Sequence, residues 1–362
     1  MTLDCFPRDP IQSRQSPQFL EVRVPILVSP TYFVYYYKSM MHTGREIAHL
    51  YFHSPCFDGA VSAALTSEYL TTKLGFRSVW LEGVNYHLRD QWLATELHKP
   101  CAVVDFLYHP SADFWADHHG TSFLSEESRA DFDQRKGSKI IYDKNASSCA
   151  VLLWARLQHA LESDTDRYEQ LVKWADKIDS ARYESVEEAI ESNSPALMIN
   201  VALGSTPGEG FSQNLVRMLK THTLEELAAL PDVRLQFEKT QSLSKRGLER
   251  LKKSIHLTDN GVAVFDADAT DAIINRYAPF YFFPKARYSA GIVRTEGKAK
   301  ITTMRNPWLD FPSAPLGEFS SRLGGGGHQR VGSIVLPSEA ANKASDLLQN
   351  LLKKLSEWES QG

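Results

Sequence analysis

Between residues 45 and 147 the chain alternates short apolar runs with polar loops and helical stretches. Residues 47–52 form an apolar run that ends in a polar loop, and residues 60–70 then carry the spacing of a helix. Residues 78–81 and 102–104 are further apolar runs, each leading into polar residues. Strands of this kind alternating with helices predict a parallel, doubly wound sheet whose site lies at the carboxyl ends of the strands. From about residue 147 the pattern turns helical, at 149–161, 168–178 and 186–190. Thr223-Leu-Glu-Glu reads as a helix start of the capping-box type. Past Pro231, Val233, Phe237, Leu248, Leu251 and Ile255 make an apolar face opposite Arg and Lys, which predicts a long amphipathic helix. Residues 262–265, 288–293 and 300–304 read as strands, and a helix over 340–358 closes the chain. The expected fold class is therefore α/β. Its parts are an extension at 1–44, a doubly wound domain at 45–220, a connector helix at 221–256 and a smaller α+β domain at 257–362.

Length agrees with this division, since 362 residues at roughly 150 per domain make about two domains. Apolar residues at 43% and charged residues at 23% suit a chain that buries a large core, and they exclude collagen-like, disordered and disulfide-scaffold classes. Forty basic against 44 acidic residues leave a net charge of −4, so no global basic field points to long duplex DNA. Cys5, Cys56, Cys101 and Cys149 form no CxxC pair, and free thiols in a reducing cytoplasm are expected. No apolar run reaches the roughly 18 residues of a membrane span. The first 37 residues, with scattered prolines and the cluster Tyr32-Phe-Val-Tyr-Tyr-Tyr37, lack the order of a signal peptide. They read as a loosely attached arm, or as sequence upstream of a start at Met40 or Met41.

Chemistry-bearing residues gather in five places. His53-Ser-Pro-Cys-Phe-Asp58-Gly follows the first strand, where Gly59 permits a tight turn and a carboxylate and imidazole suit a metal or phosphate site. Asp105 ends the run Ala102-Val-Val, and Asp117-His118-His119-Gly follows the apolar Phe114-Trp-Ala. Asp176-Lys-Ile-Asp179 closes a helical pattern, and Gly324-Gly-Gly-Gly-His328 lies near the C-terminus. Each has a bland reading as well: a turn cap for Asp105, solvated helix-end charges for Asp176 and Asp179, a flexible linker for the glycines, buried small apolar residues for Cys56 and Cys101. The set is stronger than its members, because carboxylates and imidazoles at successive strand ends of one sheet converge in space. Oxygen and imidazole donors together favour Mn²⁺ or Mg²⁺.

With these motifs in order over about residues 45–355, the sequence resembles the DHH phosphoesterases. Asp117-His118-His119 is similar to the family's signature, His53 to Ser62 to its first motif, Asp105 to its second and Asp176 to its fourth. Gly324 to Gly332, with Met304-Arg305-Asn306 upstream, resembles the DHH-associated C-terminal domain. The resemblance implies a metal-dependent hydrolase of phosphodiester or phosphomonoester bonds. It implies Asp58, Asp105, His118 and Asp176 as metal ligands, with Asp105 placed to bridge two ions, and His119 beside them at the reacting phosphate. Gly325, Gly326 and Gly327 would let backbone approach the substrate, and His328, Arg305 and Arg330 would hold its terminal phosphate. One position departs from the family pattern. Cys56 stands where an aspartate is usual and His53 is one residue out of the usual spacing, so one tight ion is expected and a second site is left with Asp105, His53 and a thiol that hard ions bind poorly. Two lobes about a cleft suit a very short oligonucleotide, a dinucleotide or a related small nucleotide, and leave a homodimer open. The rival readings are a non-catalytic nucleotide- or phosphate-binding protein with a degenerate metal site, and an exopolyphosphatase or pyrophosphatase.

Overall fold

A computed structural model describes residues 45–161, 165–205 and 210–360; the expectations for 1–44 lie outside the described residues. Its first half is built on a strand–helix alternation. Strand β1 (Arg45–His53) runs into helix α1 (Phe57–Thr72), followed by β2 (Phe76–Val84), a 3₁₀ turn (Tyr86–Ala94), β3 (Cys101–Val104) and β4 (Phe114–Asp117). Helix α2 (Glu126–Arg135) then leads to β5 (Ile140–Tyr142). The five strands lie in the order β2-β1-β3-β4-β5, and each neighbouring pair is parallel. Strands β3 and β4 are buried along their whole length, which is why they read as unbroken apolar runs rather than as alternation. Parallel pairing also sets all five carboxyl ends on one edge, where the polar motifs follow.

Helices α3 (Cys149–Leu157), α4 (Thr165–Asp179), α5 (Val186–Glu191), α6 (Pro195–Ser205) and α7 (Phe211–Leu219) follow. Side chains of α1, α3, α4, α6 and α7 share one apolar core with the sheet, through residues such as Leu65, Leu153, Leu171, Ile199 and Leu215. The opposite face is an aromatic cluster in which Trp92, Tyr108 and Trp115 are buried. Full burial of a side chain of this size contributes about 1.5–3 kcal/mol. The 3₁₀ turn owes its position to this cluster: Trp92 is wholly buried and its indole N–H donates to the Leu107 carbonyl at 3.0 Å.

The capping box at Thr223 is present, with Thr223 and Glu226 exchanging side-chain and backbone bonds at the start of α8 (Leu224–Ala228). Helix α9 (Pro231–Ser254) follows, its Val233 and Leu251 buried. The second sheet collects β6 (His256–Leu257), β7 (Val262–Asp268), β8 (Tyr288–Thr295), β9 (Lys298–Arg305), β10 (Gly326–His328) and β11 (Val331–Leu336) in the order β10-β11-β9-β8-β7-β6. Only β7 and β8 pair in parallel. Between its strands lie α10 (Ala278–Phe282) and α11 (Leu316–Ser321), and α12 (Ala344–Glu359) packs its Leu348, Leu351 and Leu355 on the sheet. The expected order of a parallel-sheet lobe, a long helix and a smaller α+β lobe is therefore observed.

The two lobes meet through shared apolar clusters, Ala189 with Phe280 and Ile190 with Phe265, and at an aromatic seam. The Trp308 indole N–H donates to the Tyr183 carbonyl at 3.0 Å, and the Tyr277 ring stands edge-on to Tyr183 and Trp308 at 5.4 and 5.9 Å. Beside it the Asn275 amide donates to the Ala189 carbonyl at 3.1 Å.

Candidate metal centre and substrate cleft

Each strand end contributes one piece of the centre. After β1 the chain turns directly into α1, and a Cβ added at Gly59 would stand 2.1 Å from the His53 carbonyl oxygen, so only glycine allows the helix to start this close to the strand. That start buries Asp58 completely and aims it across the sheet edge. The backbone N–H groups of Cys149 and Ala150, at the beginning of α3, donate to its two oxygens at 2.7 and 2.8 Å. Helix-terminal amides favour an anion there. Burial and the charge of Asp179 nevertheless raise the Asp58 carboxyl to about 6, against the opposing pull of His118 and the two amides.

Asp105 follows β3 with φ +56°, the left-handed region, and its side chain is buried. Among the described residues no hydrogen bond satisfies either of its carboxylate oxygens. The nearest nitrogens are His53 Nδ1 at 3.3 Å and His118 Nε2 and His119 Nδ1 at 3.7 Å each. A buried carboxylate left bare in this way costs free energy unless a cation completes it. Burial and the neighbouring Asp58 and Asp117 push its ionisation well above the usual carboxylate range.

After β4 the chain presents Asp117, His118 and His119. Asp117 is buried and saturated: it accepts from the His118 and His119 backbone, from His119 Nδ1 at 2.8 Å and from Ser122 Oγ at 2.5 Å. It orients the two imidazoles rather than facing a ligand. His118 Nδ1 lies 3.1 Å from the Ala146 carbonyl, which fixes the ring and turns Nε2 inward, where no hydrogen bond reaches it among the described residues. Around that nitrogen stand Asp179 at 3.4 Å, Asp105 at 3.7 Å and Asp58 at 3.8 Å. An imidazole anchored at one nitrogen by a carbonyl and offering the other to a ring of carboxylates is how proteins hold a metal-ligating histidine. For His119, burial favours the neutral ring, but the hydrogen bond and charge of Asp117, with Asp179 and Asp58, outweigh it and raise its pKa above the ordinary value.

The end of α4 corrects the sequence expectation. Asp179 faces His118, whereas Asp176, expected in that role, is turned toward Arg182 and forms an ion pair with it. Asp58, His118 and Asp179 offer donor atoms within 4.8 Å of one another, and Asp105 belongs to two neighbouring groups, with Asp117, His118 and His119 and with His53 and Cys56. His53, one residue out of register in the motif, thus reaches the centre. Burial and the neighbouring His119 lower its pKa to about 4, which keeps it neutral and able to ligate. The donor set fits a divalent ion. Tyr86, which sequence reasoning passed over, stands edge-on to His53 at 5.3 Å and roofs this corner.

A cavity of about 420 Å³ opens from Asp179 to the second lobe, lined by Arg182, Arg276, Tyr277, Arg305, His328 and Arg330 among others. His328 and Arg330 come from the exposed tip of the β10–β11 hairpin. Arg305 lines the cavity, but most of its guanidinium is tied into the wall. It is 5% exposed, donates to the Asn306 and Phe311 carbonyls at 2.9 and 2.7 Å and lies over the Phe311 ring. Its guanidinium holds the loop behind the cleft. Arg182 and Arg276, which no motif marked, supply cations instead. The glycines have separate duties: Gly325 and Gly327 let β10 pack against β11, while Gly326 meets nothing within 4 Å of an added Cβ.

No family model and no curated protein matches the sequence. The fold has clear counterparts. It is that of the DHH-domain proteins, a parallel-sheet lobe joined to a smaller mixed-sheet lobe. Among solved structures, the pGpG-specific phosphodiesterase PggH from Vibrio cholerae superposes with a TM-score of 0.62 at 18% identity, over 85% of this chain and 99% of that one. The DHH domain of a member of the s1p family of ribosomal proteins gives 0.56 at 14% identity, covering 86% and 87%. RecJ from Thermus thermophilus, in complex with Mn²⁺, gives 0.51 at 13% identity, over 90% of this chain and 55% of RecJ.

Proposed function

We propose that this protein is a metal-dependent phosphoesterase that hydrolyses phosphodiester or phosphomonoester bonds in short oligonucleotides, dinucleotides or related small nucleotides, with Mn²⁺ or Mg²⁺ as its ion. The observation that carries the reading is the carboxylate of Asp105, unsatisfied among the described residues, beside the inward Nε2 of His118, whose neighbour Asp179 lines a cleft that also holds arginines. Asp58, Asp105, His118 and Asp179 are the ligands of this proposal. The likeness in fold to a phosphodiesterase and to an Mn²⁺-containing RecJ supports it.

When bound, the ion supplies Lewis-acid polarisation of a phosphoryl oxygen and lowers the pKa of a water. The chain's own residues do the remainder. Asp117 accepts from His119 Nδ1 and so leaves His119 Nε2 to face the reacting phosphate, as hydrogen-bond donor to a developing charge or as acid to the leaving oxygen. His328, Arg330, Arg276 and Arg182 hold the far phosphate of a substrate that lies along the cleft, since a guanidinium pairs two phosphate oxygens at once. A cavity of this size admits one or two nucleotides, not a duplex. Release of nitrophenol from a generic phosphodiester, with and without Mn²⁺, separates catalyst from binder. A panel of linear dinucleotides, cyclic dinucleotides, oligonucleotides, nucleoside bisphosphates and inorganic polyphosphate, assayed with Mn²⁺, then fixes the substrate. Metal-independent release, or hydrolysis of polyphosphate alone, would overturn the reading.

A further inference from the structure

The residues beside Asp105 differ in donor chemistry from those around His118. Cys56, part-buried at the last residue before α1, offers its Sγ together with His53 Nδ1 and an Asp105 oxygen within 4.8 Å of one another. Two observations besides the cysteine point inward: Asp105 is 1% exposed with both oxygens unsatisfied, and the buried His53 Nδ1 has no hydrogen bond among the described residues. Asp117 is not available to this corner, because His119, Ser122 and the backbone already occupy its oxygens. What remains is one nitrogen, one sulfur and one oxygen donor.

We propose that His53, Cys56 and Asp105 form a second metal site selective for a borderline ion such as Zn²⁺ or Co²⁺ over Mn²⁺ and Mg²⁺, so that the protein holds an unlike pair of ions bridged by Asp105. Thiolate sulfur is a soft donor, and for mixed N, S and O sites affinity rises from Mn²⁺ through Co²⁺ toward Zn²⁺. Three protein ligands would leave water or substrate to complete the coordination of such an ion. On binding, the S–H bond breaks, a metal–sulfur bond forms and the thiol proton passes to solvent. The site stands on donor identity and is independent of which ester, if any, the protein cleaves.

The test is a Co²⁺ titration of the metal-free full chain. A thiolate-to-cobalt charge-transfer band in the near ultraviolet, saturating at one per chain, is the expected result. Cys56→Ser should abolish the band and weaken Zn²⁺ binding by about 100-fold, in line with the 10–100-fold cost of lesser disturbances to a metal site. Asp179→Asn should keep the band while losing Mn²⁺, which reports that the variant is folded and that the two sites are separate. Zn²⁺ should displace the cobalt and Mn²⁺ should not. Cobalt binding without a thiolate band, a band that persists in Cys56→Ser, or displacement by Mn²⁺ as readily as by Zn²⁺ would overturn the proposal. Absence of nitrophenol release with the band intact would sink the phosphoesterase reading and leave this site standing.

Discussion

Asp105 occupies a backbone conformation that costs an L residue about 1–2 kcal/mol, and it does so to bury a carboxylate with no hydrogen bond. Such a position is maintained by what it binds. Asp105→Ala is expected to lower turnover by about 100-fold or more and to abolish tight Mn²⁺ binding, while the metal-free chain melts no lower than the native one. Wild-type turnover in that variant would remove Asp105 from the centre. His119→Ala should behave differently, keeping its metal content and losing kcat, because the proposed function gives its Nε2 to the substrate rather than to the ion. The two carboxylates at the end of α4 separate in the same way. Asp179→Asn should weaken Mn²⁺ by at least about tenfold, whereas Asp176→Asn should leave affinity near native and disturb only the ion pair with Arg182. Isothermal titration with Mn²⁺ decides between them.

At the level of elements, the β10–β11 hairpin gives a sharp contrast within one glycine run. Gly327 has φ +149°, and a Cβ there would meet the Val331 carbonyl oxygen at 2.2 Å; Gly326 has open space. Gly327→Val should therefore raise KM several-fold by displacing His328 and Arg330, and Gly326→Val should be far milder, both with metal content unchanged. Equal kinetics in the two would return the run to a linker role. Much of the fold could be read from the chain because buried parallel strands are apolar throughout and sit at regular intervals. Strands β5 and β10, three residues each, are too short to show any period, and β10 is glycine and histidine, which carry no strand preference. Helices α6 and α7 also escaped notice, α6 because it is apolar on nearly every side and shows no polar stripe. In the site, Asp105, His118 and Asp58 were legible because each directly follows or opens an element. Asp176 and Asp179 were not distinguishable, since residues three apart lie on the same helix face and only the partner, Arg182 or His118, separates them. Arg276 and Arg182 belong to no motif and enter the cleft through tertiary packing alone.

For the whole molecule, gathering Asp58, Asp105 and Asp179 in one low-dielectric corner opposes folding of the metal-free chain. Their folded-state pKa values lie above the ordinary carboxylate value. At these three groups the folded state binds more protons than the unfolded one, and their contribution to stability falls as pH rises from 3.8 through about 6 and beyond, while His53, lowered to about 4, contributes in the opposite sense. Metal-free Asp58→Asn protein should therefore gain melting temperature relative to the native chain as pH rises across that range, and Mn²⁺ should raise the native melting temperature most at its alkaline end, where the carboxylates are charged. An Asp58→Asn chain whose melting temperature tracks the native one across that window would contradict the arrangement. The seam of Tyr183, Tyr277 and Trp308 has a consequence of another kind. It ties the segment just after Asp179 to the lobe that carries His328 and Arg330, at a point beside the cleft itself. A jaw riveted next to its own teeth cannot open far, so the span between the ions and the arginines is set by the fold and not by the guest. If the proposed function holds, the protein works as a ruler: a nucleotide chain that bridges the span is cut, and each unit added beyond it must hang outside at the expense of rate. Trp308→Ala, by loosening the rivet, should blur that length preference more than it lowers the rate on the best substrate.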